Sequence, residues 1–124
     1  MAIPSTAVRF GGSMDPGDWR PYEMDFSPLL DVSAGEQIDP ATFALTMSAE
    51  GVALGVQMDA AGARAPALID GGTGIRFYLS VDPAQQSAPA FDVGVSVAVV
   101  SVIRTTATPF NRYERTWVVP IVNR

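Results

Sequence analysis

The run Phe91 to Thr106, FDVGVSVAVVSVIRTT, limits the possible fold more than any other part of the chain. It is dense in valine, contains no proline and has a single glycine, Gly94. β-branched residues lose side-chain freedom in a helix and pack well on a pleated surface. The run therefore predicts the long central strand of an antiparallel β-sandwich. Its odd positions Phe91, Val93, Val95, Val97 and Val99 are apolar from the start, while its even positions change from Asp92, Gly94 and Ser96 to Ala98, Val100 and Val102. One face should be buried early and both faces towards Ile103. A strand of this length would span about 45–50 Å, so it is expected to bend, bulge or project beyond the body.

The other extended segments follow from alternation and turn chemistry. Residues 2–10 read as a short strand or an extended arm, with Val8 and Phe10 as anchors and Pro4 and Gly11-Gly12 arguing against a central position. The stretch GGSMDPGDWRP is turn chemistry almost throughout, and it leaves Trp19 either to cap the core or to anchor a neighbouring molecule. Tyr22, Met24 and Phe26 alternate with Glu23 and Asp25 as in a half-buried strand. Residues 41–49 fit a helix, through Asp39-Pro40 and the Phe43/Met47 spacing, or a strand, through Phe43, Leu45 and Met47; the strand agrees with its neighbours. Gly51 is expected to turn the chain into a strand over Val52, Leu54, Val56 and Met58. Beyond a soft linker and the Asp70-Gly71-Gly72 turn, Ile75, Phe77, Leu79 and Val81 mark the clearest half-buried strand. Residues 82–90 read as a polar loop. The last strand is predicted over Arg112 to Val122, and Pro120, which lacks a ladder donor, makes it an edge there or marks its finish.

Seven extended segments without a convincing long helix give an all-β, immunoglobulin-like antiparallel β-sandwich. The 124 residues make one domain. Its organisation is read as an N-terminal arm and loop over residues 1–21 and a sandwich over residues 22–124.

Composition narrows the chemistry. Lysine, histidine and cysteine are absent, so the usual nucleophiles, their activating bases and the usual zinc ligands are missing. No cofactor and no enzymatic activity are expected. The net charge is −5, yet Arg104, Arg112, Arg115 and Arg124 face only Glu114 after residue 103. Arginine without lysine suits bidentate protein contacts at least as well as a nucleic-acid path, and no nucleic-acid partner is expected. The opening residues lack a basic segment ahead of an apolar core, and no apolar run approaches bilayer length, so neither export nor a membrane partner is expected.

Three acidic or glycine-rich stretches carry groups that could do chemistry. Asp15 and Asp18, with Glu23 and Asp25, would suit calcium but read better as a solvated turn. Asp70-Gly71-Gly72-Thr73-Gly74 lacks the ending of a phosphate loop and reads as a plain turn. Asp25 with Asp31 would have to form a catalytic carboxylate pair without a cleft signature. The stronger candidates are for partner binding: Val8, Phe10, Trp19, Phe110, Arg112, Tyr113, Arg115 and Trp117. Tyr113, Arg115 and Trp117 share one face of the last strand, which points inward with Arg115 paired or outward as an interface of residue types common in hot spots.

From Tyr22 onward the chain resembles small phage and prophage proteins described as tail-fibre adaptor or virion-associated immunoglobulin-like modules. The resemblance lies in YEMDFSPLL (Tyr22 to Leu30), in the Leu68-Ile69-Asp70-Gly71-Gly72 turn before a strand, and in the terminal pair SVIRTT and RYERTWVVPIV. It implies a non-enzymatic virion protein, made in the host cytoplasm, that joins tail, neck or fibre attachment by protein–protein assembly, as a homo-oligomer or ring among other virion proteins. Two other readings stand beside it. One is a capsid decoration protein. The other is a carbohydrate-binding adhesin using Trp19, Tyr22, Tyr78 or Trp117 as a sugar platform.

Overall fold

The computed structural model describes residues 7–123. Among the described residues eight strands form two four-stranded sheets: β1 (Val8–Arg9), β2 (Arg20–Asp25), β3 (Ala44–Met47), β4 (Val56–Met58), β5 (Ala67–Ile69), β6 (Gly74–Val81), β7 (Val95–Arg104) and β8 (Arg112–Ile121). Two short helices complete the set, α1 (Ala49–Ala53) and α2 (Ala90–Val93). The first sheet runs β1-β8-β7-β3; in the second, β6 pairs with β2, β4 and β5. All pairings are antiparallel except β1 with β8, which is parallel. The fold is an all-β sandwich of eight strands where seven were expected.

Its core is supplied by the alternation that the sequence displays. Met24, Ile75, Phe77, Leu79, Val97, Val99, Ile103, Val119 and Ile121 are all buried in one cluster between the sheets. Each such side chain contributes about 1.5–3 kcal/mol by leaving water. At one end Phe10, Tyr22, Phe26, Phe77 and Trp117 form an aromatic cluster, in which Phe10 stacks on Trp117 at 5.8 Å and meets Tyr22 at 4.9 Å.

The valine-rich run is not one continuous strand. Pro89 leads into α2, Asp92 sits in its first turn, and Gly94 ends it at φ +101°, a conformation that disfavours any residue with a Cβ. The strand proper is β7, ten residues long. Phe91 is buried from the helix, whereas Val93, expected inward, is exposed. Val95 is half-buried, and the outward Ala98 is also buried, as both-face cover predicts.

The segment after Met47 also departs from expectation. Ser48 caps α1, its Oγ accepting from the Gly51 amide, so residues 49–53 are helical and only Val56–Met58 is strand. Gly51 lets the helix approach β7, because a Cβ there would lie 2.7 Å from Val97 Cγ1. The strand reading of residues 41–49 holds for Ala44–Met47.

The described part of the N-terminal segment is built into the sandwich. Phe10 N donates to Val118 O, Met14 N to Pro120 O and Val122 N to Met14 O, and Met14 is buried. Consequently β8 lies between β1 and β7 and is not an edge; it finishes at Ile121, one residue past Pro120, the second of the two readings of that proline. Pro120 serves as an acceptor, which needs no N–H. The beginning of the expected arm, including Pro4, lies outside the described residues.

Candidate interaction surfaces

Two of the sequence-selected residues are structural. Trp117 is 6% exposed; its Nε1 donates to Ser101 Oγ at 2.8 Å, and Ser101 Oγ donates to Arg115 O. Phe10 is packed against the core. A partner cannot use either as a surface anchor without opening the aromatic cluster.

Tyr113 and Arg115 occupy the inward-facing line of β8, as the first of the two sequence readings has it, but at the rim where both stay half-buried. Arg115 needs no carboxylate partner there, since Nη1 donates to Glu114 O at 2.8 Å and its guanidinium lies 5.7 Å from the Tyr113 ring. Asp92 accepts from Asn123 Nδ2 at 3.0 Å. Val8, Arg115 and Trp117 line a hollow of about 210 Å³ with Asp25, Phe26, Pro28 and Leu29.

The tip of the β7–β8 hairpin brings together another subset. Arg104 and Arg112 face each other in register, an arrangement in which like charges repel. Two contacts relieve it: Arg104 lies 4.7 Å over the Phe110 ring, and Arg112 is 3.9 Å from Glu114. Phe110 remains 52% exposed. The tip is thus a solvent-facing pair of guanidinium groups beside an exposed phenyl ring. Arg124 lies outside the described residues.

Glu36 anchors this hairpin from below and had no signal in the sequence. Its carboxylate accepts from Asp31 N at 2.8 Å and from Asn111 Nδ2 at 3.0 Å. The Asp31 amide first, then the Thr105 hydroxyl and Asn111, hold its pKa below the usual glutamate value. Thr106 Oγ1 accepts from Gln37 N, completing the strap. Asn111 and Thr106 lie too far along the chain for any local pattern to reveal these contacts.

Trp19 caps no core. It is 52% exposed, with the Arg64 guanidinium 3.9 Å over its ring and Tyr78 5.8 Å from the same guanidinium. Arg64 sits in the linker that the sequence reading left without a role. Of the aromatics considered for a sugar platform, Tyr22 and Trp117 are buried in the aromatic cluster, while Trp19 is exposed and Tyr78 half-buried.

The acidic candidates serve local backbone. Asp15 accepts from Gly17 N, Asp18 from Asp15 N and Asp25 from Ser27 N, while Asp31 caps a 3-10 turn through Ala34 N. Among the described residues no cluster of three or more such side chains is placed to hold a metal ion. Asp70-Gly71-Gly72 is the turn between β5 and β6, all three residues at positive φ.

Protein-family models, curated proteins and solved structures were compared with the chain, and none matches.

Proposed function

We propose that the chain is a non-enzymatic structural component of a bacteriophage virion, an immunoglobulin-like adaptor or connector in the tail, neck or fibre attachment region. The observation that carries the reading is the resemblance of the stretches that form β2, the β5–β6 turn and the β7–β8 hairpin. The strand order supports the finer fold assignment: β2, β6 and β4/β5 against β3, β7 and β8 follow the three-on-three order of that sandwich, with the first strand moved beside the last. A composition without histidine, cysteine or lysine supports an assembly role over catalysis.

On this reading the hairpin tip is the principal contact surface. Exposed arginine beside an aromatic ring is the chemistry of interface hot spots, and guanidinium groups suit carboxylates on another virion protein. Replacing Arg104, Phe110 and Arg112 with alanine should leave the melting temperature within a few degrees of wild type and abolish incorporation into particles. Normal incorporation of the folded triple variant would remove the tip from the proposal.

The adhesin reading keeps one support, the exposed Trp19 beside Arg64 and Tyr78. A glycan array in which Trp19→Ala abolishes binding would favour it; an array without hits would end it.

A further inference from the structure

Beside the free edge of β3 lies an apolar hollow that contains one unanswered charge. Phe43, Leu45 and Met47 line it on the β3 side, Met58, Asp59 and Pro66 on the other, and its volume is about 310 Å³. Asp59 is the single ionisable side chain of the lining. It is half-buried, and among the described residues its carboxylate meets no hydrogen-bond donor and no cation. Arg64, the arginine nearest to it in sequence, is held over the Trp19 ring at 3.9 Å. A carboxylate beside apolar surface is costly until it is paired.

The main chain of β3 is open towards the same side. Ser48 N donates to Ala98 O, so by the alternation of an antiparallel ladder Ala44 and Thr46 exchange bonds with β7. The N–H and C=O groups of Leu45 and Met47 therefore point the other way, where among the described residues no strand lies. The sequence of β3, Ala-Leu-Thr-Met, has neither charge nor proline to block pairing there.

We propose that β3 and the hollow dock an extended segment of a partner protein that carries a long basic side chain between apolar residues. This deepens the assembly role proposed above, by giving the chemistry of one partner contact, and rests on it. The segment adds antiparallel to the edge, and its residue opposite Leu45 shares the face of Leu45, so that side chain enters the hollow. Phe43, Met47 and Met58 cover its aliphatic stem, and Asp59 receives its cationic head. The open ladder selects an extended chain over a small molecule, and the lone carboxylate selects a cation over an apolar or acidic side chain. Charge further out agrees. Asp39 and Glu50, the ionisable side chains nearest to β3 on either side, are both acidic, and a net charge of −5 draws in basic segments.

The test is fluorescence anisotropy with the full chain and a labelled, end-blocked peptide, Val-Thr-Arg-Thr-Val. Saturable binding that weakens with salt is expected. Leucine in place of the central arginine, or Asp59→Asn in the protein, should each weaken binding about five- to tenfold, and the two together no further than either alone. N-methylation of the arginine amide, which faces β3, should abolish binding, whereas N-methylation of the next threonine amide, which faces away, should leave it intact. Absence of binding, equal affinity for the leucine peptide, or equal loss on methylating either amide overturns the proposal. A dimer of the chain alone in sedimentation velocity, dissolved by Leu45→Glu, also overturns it by giving the edge to a second copy. Peptide binding is read without particles, so its failure is distinguishable from failure of the virion role.

Discussion

Ser101 shows what a single polar atom contributes in this core. It is fully buried in the centre of β7, and its hydroxyl links the Trp117 indole to the Arg115 carbonyl. Ser101→Ala leaves the indole N–H unpaired and should cost about 1–3 kcal/mol, read as a lower denaturant midpoint at unchanged slope. The same change in a Trp117→Phe background should cost clearly less, because no donor is then stranded. Equal costs in both backgrounds would mean that the hydrogen bond contributes nothing. Glu36 gives a pH-dependent counterpart. Its folded pKa lies below the unfolded value, so its contribution is present above the ordinary glutamate range and fades as pH falls through the folded value. Denaturant midpoints measured between about pH 5 and pH 3 should fall more steeply for wild type than for Glu36→Gln. Parallel curves would show that the strap to Asp31 and Asn111 carries no linkage.

Among elements, the N-terminal segment matters most to how the protein can be manipulated. Met14 is fully buried and Phe10 sits in the aromatic cluster, so residues 8–14 belong to the folding unit. Met14→Ala should cost about 2–5 kcal/mol. Deletion through Met14 should abolish cooperative thermal unfolding, whereas the hairpin-tip variants should leave it intact. A truncated chain that melts cooperatively near the wild-type temperature would contradict this placement. A failure of that truncated protein to enter particles would say nothing about a docking arm, since the fold itself is removed. The hairpin tip, with Arg104, Phe110 and Arg112 in solvent, is the element at which assembly can be separated from stability.

For the whole molecule, the sequence was most readable where period and burial coincide. The alternation of Ile75, Phe77, Leu79 and Val81 identified β6, and the valine run identified β7, because their inner faces are buried at every position but Val95. It was least readable where local capping overrode β-propensity: Ser48 turned an alternating stretch into α1, and Pro89 with Gly94 turned the start of the valine run into α2. Long-range geometry was not legible at all. No local pattern reveals that Glu36 meets Asn111, that Arg64 covers Trp19, or that β1 flanks β8 and so buries Trp117. The candidate surface was legible only in part, as Phe110 and Arg112 lie at the exposed tip while Phe10 and Trp117 belong to the core. The central claim, that this sandwich is a virion part, is tested most directly by quantitative mass spectrometry of gradient-purified particles from cells producing the chain. The account predicts the chain at a fixed ratio to the major virion proteins, retained through a high-salt wash. Its presence in the lysate but absence from the particles would contradict that claim.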